Sequence, residues 1–94
     1  MHVITQSRIW IAKKKYPESA NALDGWYRVI KKNQFNNFAE LKRSFNSVDK
    51  IGSVFVFDIG GNKIRLIAHI HFQRKKVYIR GVLTHKEYDK NKWK

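Results

Sequence analysis

The sequence predicts an α+β fold, with two to three helices packed on one face of a small, mainly antiparallel sheet, in the order β-α-α-β-β-β before a short C-terminal turn or helix. Three observations carry that reading. In the first half, Leu23, Trp26, Tyr27 and Ile30 fall at i, i+3, i+4 and i+7, the spacing of one helix face. From Val54 onward β-branched and aromatic residues take over and the period changes to two. The length, 94 residues with 43% hydrophobic, suits one domain spanning 1–94, its last residues 90–94 a basic tail.

Met1 to Ile4 is a short apolar start suited to an edge strand, and Thr5 or Ser7 can cap a helix running to about Tyr16. Pro17 marks a turn, after which Ser19 can cap the helix that carries Leu23, Trp26, Tyr27 and Ile30. Asn37 followed by Glu40 resembles a capping box, and Phe38, Leu41 and Phe45 share a face of the short helix it would start, leaving Lys42 and Arg43 outward.

Val54 to Ile59 reads as a strand, and Gly60-Gly61 as a two-residue hairpin signal that sets Asp58 opposite Lys63, with Asn62 as a turn residue. Beyond it Ile64, Leu66, Ala68, Ile70 and Phe72 take one sheet face, and Lys63, Arg65, Ile67, His69 and His71 the other. Gln73 to Lys76 connects to a last strand in which Val77, Ile79, Gly81 and Leu83 share the core face. That loop sets Arg80 opposite His69, Tyr78 opposite His71, Gly81 opposite Ala68 and Thr84 opposite Arg65. The small pair Ala68 and Gly81 lets a helix approach closely, so helices are expected on that side only, and the opposite face is cationic.

Twenty Lys and Arg against seven Asp and Glu give a formal charge of +13, a field that gathers polyanions, nucleic acid first among them. No helix here has the apolar-and-basic division of a membrane-surface binder, and no apolar run approaches a membrane span. The absence of cysteine removes disulfides and thiolate metal sites and suits a reducing compartment, so a cytoplasmic location is expected. His69 and His71 have no cysteine and few carboxylates on their face, so neither a metal nor another cofactor is expected.

Lys63, Arg65 and Arg80, with Tyr78 and the histidines interleaved, supply the charges and rings that grip single-stranded nucleic acid. Next comes Thr84-His85-Lys86-Glu87-Tyr88-Asp89, in which His85 and Tyr88 point the same way if the segment turns helically. RNA cleavage by the ribose 2′-OH needs a proton acceptor, a proton donor and a cation for the phosphorane, roles that His85 or Tyr88 and Arg65 can fill. Asp89 either orients His85 or pairs with Lys86. Loss of His85 or Arg65 should then cost activity and not folding. Trp93 lies among Lys90, Lys92 and Lys94 in a terminal tail that can add electrostatic grip or mask the site.

Val56-Phe57-Asp58-Ile59-Gly60-Gly61-Asn62-Lys63-Ile64-Arg65, and Tyr78-Ile79-Arg80 leading to Thr84–Asp89, resemble the HigB family of toxins, as does the start Met1-His2-Val3-Ile4-Thr5-Gln6. The resemblance implies a RelE-like fold and a ribonuclease that cuts mRNA, usually on the ribosome, neutralised by a HigA-type helix-turn-helix antitoxin. By motif it carries over Arg65, His85 and Tyr88, with Asp89, as active-site residues, and Lys63, Arg80 and Lys86 as RNA contacts. Two rivals stay open: a non-catalytic basic RNA-binding module that blocks translation by occupancy, and a structural protein of a ribonucleoprotein.

Overall fold

A computed structural model describes residues 1–61 and 63–90. Asn62 and the tail residues Lys92, Trp93 and Lys94, singled out above, lie outside the described residues. The elements run β1 (His2–Val3), α1 (Ser7–Lys15), a 3-10 turn (Pro17–Ser19), α2 (Ala20–Lys32), α3 (Phe38–Ser44), β2 (Asp49–Ile51), β3 (Val54–Ile59), β4 (Ile64–His71), β5 (Lys76–Thr84) and α4 (His85–Asp89). The α+β reading holds, with one strand more than expected. The five strands form a single sheet in the order β1-β5-β4-β3-β2, antiparallel except at β1, which runs parallel to β5. The extra strand, β2, is only Asp49-Lys50-Ile51 and has no apolar alternation to betray it.

Leu23, Trp26 and Ile30 put the predicted face of α2 into the core, and Leu41 does the same for α3. Trp26 and Phe45 each meet Phe57 edge-on, at ring separations of 5.3 and 5.1 Å. Asn37 caps α3 by accepting from the Glu40 N–H, although the Glu40 carboxylate turns to Asn36 and not back to Asn37. Neither expected cap of α1 forms. Gln6 sits at that position without a side-chain capping bond, its Oε1 accepting from the Tyr27 hydroxyl instead, while Thr5 bonds both the N–H and the carbonyl of Ile79 and so pins the chain to β5.

Ile64, Leu66, Ala68 and Ile70 face the main core as predicted. The expected registers need two corrections. The connection between β3 and β4 is residues 60–63 and not two glycines alone, so Asp58 lies opposite Arg65 instead of Lys63. Gly60 and Gly61 both hold φ of +65°, a left-handed backbone that only glycine adopts cheaply.

Between β4 and β5 the connection falls one residue earlier than expected, pairing His71 with Lys76, so Tyr78 faces His69. The register then shifts again. Ala68 pairs with Ile79 and Ile67 with Gly81, which leaves Arg80 as the extra residue of a β-bulge. Past the bulge the faces exchange: Val82 packs on the main core, Leu83 turns to the opposite face, Thr84 pairs with Ile64 and Arg65 with Leu83.

The second sheet face is therefore not purely cationic. Val54, Val56 and Ile67 are buried there, packed with Ile51, Leu83 and Tyr88. Tyr88 belongs to α4, so a helix reaches this face too, contrary to the expectation of helices on one side only.

Candidate active site

The site begins with the corrected β3–β4 register, which places an aspartate beside an arginine on neighbouring strands. Arg65 Nε donates to Asp58 Oδ1 at 3.0 Å. Arg65 is 9% exposed, and a guanidinium so enclosed requires partners for its charge and its N–H groups. A second partner comes from α4. Arg65 Nη2 stands 3.0 Å from His85 Nδ1, and the Tyr88 ring lies 5.4 Å from the guanidinium carbon.

These distances fix the proton on His85. Arginine can only donate, so Nδ1 must accept and the ring proton of the neutral imidazole sits on Nε2. Nε2 faces Asp89 Oδ2 at 3.3 Å, one helical turn further on. Asp58, Arg65, His85 and Asp89 thus form a chain of alternating partners that ends at the surface, where the His85 side chain is 57% exposed. Of the two roles open to Asp89, the contact with His85 is the one formed.

Burial raises the Tyr88 phenol above its ordinary value, and the carboxylates of Asp49, Asp58 and Asp89 add to the rise against the opposing pull of Arg65. Tyr88 is therefore held neutral, as a proton donor.

What aims these groups is the start of α4. Thr84 Oγ1 accepts from the Glu87 N–H at 3.1 Å and Glu87 Oε1 accepts from the Thr84 N–H at 2.9 Å, a complete capping box. Tyr16, at the end of α1, donates its hydroxyl to the same Glu87 oxygen at 3.3 Å. Those bonds hold the Glu87 carboxyl below its ordinary value, the Thr84 N–H being the main cause.

The structure brings together Arg65, His85, Tyr88 and Asp89. Lys63, in the β3–β4 connection, and Lys86, on α4, are exposed near this corner. Arg80 is elsewhere: the bulge sends it into a groove against α1 and not onto the face with His69. His69, His71 and Tyr78 do cluster, with ring separations of 4.9 and 5.6 Å, toward the other end of β4.

Sequence reasoning missed Asp58 and Glu87. An aspartate inside the apolar run Val54–Ile59 was the signal for the first, and Thr-x-x-Glu at 84–87 for the second. The expectation that losing Arg65 leaves folding intact is also at odds with its burial between Asp58 and Tyr88.

Comparison with known proteins places the chain in a family. A family model described as HigB_toxin, RelE-like toxic component of a toxin-antitoxin system, matches residues 19–91. The chain is 37% identical over 93 residues to the mRNA interferase HigB of Escherichia coli O6:H1 (strain CFT073), covering 96% of this chain and 90% of that protein. It is 40% identical over 92 residues to the mRNA interferase toxin HigB of Escherichia coli K12 and to the mRNA interferase HigB of Shigella flexneri, covering 95% of this chain and 88% of each. Toxins of this kind act with an antitoxin partner, and no described helix is long and apolar enough to cross a membrane. Extending from the last residue of the 3-10 turn to just past α4, the match takes in both strands and the helix that build the Arg65 corner, and the chain belongs to the HigB family of RelE-like toxins.

Proposed function

We propose that the chain is an endoribonuclease toxin that cuts mRNA on the translating ribosome, acting in the cytoplasm and arresting growth until a HigA-type helix-turn-helix antitoxin neutralises it. The mRNA interferase relatives supply the substrate class. The observation that carries the chemistry is the contact between the enclosed cation Arg65 and the Nδ1 lone pair of His85.

In this reading a substrate phosphate draws Arg65 Nη2 away from His85 and thereby frees the nitrogen that serves as base. His85 Nδ1 takes the 2′-OH proton as the O2′–P bond forms, and Asp89 stabilises the resulting imidazolium through Nε2. Arg65, anchored at Nε by Asp58, faces the negative charge that grows on the phosphorane. Tyr88, kept protonated, gives its proton to the departing 5′-oxygen as the P–O5′ bond breaks. The products are a 2′,3′-cyclic phosphate and a free 5′-OH. Lys63 and Lys86 hold the flanking phosphates.

Mapping 5′ ends on mRNA carried by translating ribosomes tests this directly. Discrete cuts are expected with the wild-type chain and none with His85→Ala. Translation inhibited without any cut would sink the nuclease reading in favour of blocking by occupancy.

A further inference from the structure

The two edges of β5 are not covered alike. One side pairs with β4 from Lys76 to Thr84, interrupted only at Arg80. On the other, β1 covers only Lys76 and Val77, Ile4 and Thr5 continue the contact to Ile79, and Arg8 Nη1 donates to the Arg80 carbonyl at 3.0 Å. From Gly81 to Leu83 no strand lies on that side among the described residues.

A groove of about 320 Å³ runs there between β5 and α1, lined among others by Arg8, Ile11, Lys15, Tyr16, Arg80 and Leu83. It contains three cationic side chains and no carboxylate. At its lip Ile11 is 64% exposed, a large aliphatic side chain left in water beside an open strand edge. Uncovered edges are templates for an added strand, and natural proteins usually protect them.

We propose that this groove is the docking site of the antitoxin, filled by an extended acidic segment. That segment pairs its backbone with β5 over residues 81–83, sets an apolar side chain on Ile11 and places carboxylates against Arg8, Lys15 and Arg80. RNA suits the groove less well, because its one aromatic ring, Tyr16, is 9% exposed and offers no open face for a base. Family membership supplies the existence of the partner; the chemistry proposed for His85 plays no part in the assignment. An occupant here touches Tyr16, whose hydroxyl holds Glu87, so binding reaches the start of α4 without covering His85.

The experiment titrates the full chain, made harmless to its host by His85→Ala, with its purified cognate antitoxin. Ile11→Glu and Arg8→Glu are each expected to weaken binding by about ten-fold or more. Lys14→Glu, the same change of charge on a neighbouring residue of α1 that does not line the groove, should stay within about two-fold, because an exposed charge without direct contact contributes little in water. Amide hydrogen exchange should slow at Gly81 to Leu83 on binding. Unchanged affinity for both groove variants, or protection confined to other strands, overturns the assignment, as does a loss of ribosome binding in place of antitoxin binding. Ile11→Glu in an otherwise wild-type chain should still cut mRNA. A wild-type chain that never cuts would instead refute the nuclease reading and leave the docking result standing.

Discussion

Helices α3 and α4 begin alike and end up with different work. Each is short, each has a capping residue followed three positions later by glutamate, Asn37 with Glu40 and Thr84 with Glu87, and each cap accepts the N–H of that glutamate. Helix α3 then buries Leu41 completely in the main core, whereas α4 buries no residue and rests only Tyr88 on the small second cluster. What α4 lacks in packing it replaces with polar bonds, since Glu87 answers Thr84 and also receives the hydroxyl of Tyr16. Apolar contact places an element, but reciprocal hydrogen bonds at a helix start also aim it, and the proton transfer proposed for His85 needs aim.

The sharpest way to separate the two helices is to remove the chemistry from one. His85→Ala should lower the rate of mRNA cleavage by about 10²–10⁴-fold, the usual worth of a positioned acid or base, with a far smaller fall in melting temperature than Arg65→Ala. Its mostly exposed side chain leaves no cavity. Cleavage assays beside thermal melts check both halves. For Arg65→Ala the melt should fall as well, since it strands Asp58 and removes a charged stem from under Tyr88.

The converse substitution is Leu41→Ala in α3, expected to destabilise the fold by about 2–5 kcal/mol while the folded fraction cuts as before. Denaturant titration with activity corrected for folded protein measures it. Reduced activity per folded molecule would mean that α3 takes part in the site.

Thr84→Ala, smaller again, should cost about 1 kcal/mol, felt mainly in α4. Because the box aims His85, cleavage should drop further than global stability does. Hydrogen exchange at α4 amides, compared with those of α3, distinguishes local loosening from general unfolding.

The mildest test is acid. Glu87 has a folded-state value below its ordinary 4.5, so the stability it gives α4 is complete above that pH and is lost as pH falls through the lowered value. Glu40 is lowered too, chiefly by the backbone N–H of Asn36, but its protonation leaves both the Asn37 cap and the buried Leu41 of α3 in place. On acidification below about pH 4.5, NMR signals of α4 should broaden before those of α3, and Glu87→Gln should abolish that difference.

Much of this contrast was readable beforehand. The helical face of Leu23, Trp26 and Ile30 and the alternation from Ile64 to Ile70 are written in period, and the structure keeps both. The residues of the site were legible for the same reason, as chemistry-bearing types after an apolar strand. Their partnerships were not. Asp58 reaches Arg65 only because the hairpin connection spans four residues, and Leu83 changes face only because one residue of β5 is left unpaired. Such features depend on how strands close against one another, to which local pattern is blind. Strand β2 escaped because it is held by pairing with β3 and not by any propensity of Asp49-Lys50-Ile51.

The bulge at Arg80 also makes β5 tolerant of a change in length. With Ile79 paired to Ala68 and Gly81 to Ile67, excising Arg80 would join two residues already in register and straighten the strand. Thr84 would still meet Ile64, and α4 would start in the same place. Adding a residue between Gly81 and Thr84 has no such slack to take up, and would rotate the start of α4, with His85, to the far side of the sheet. Homologous toxins one residue shorter here should keep the same working corner, and insertions should be selected against.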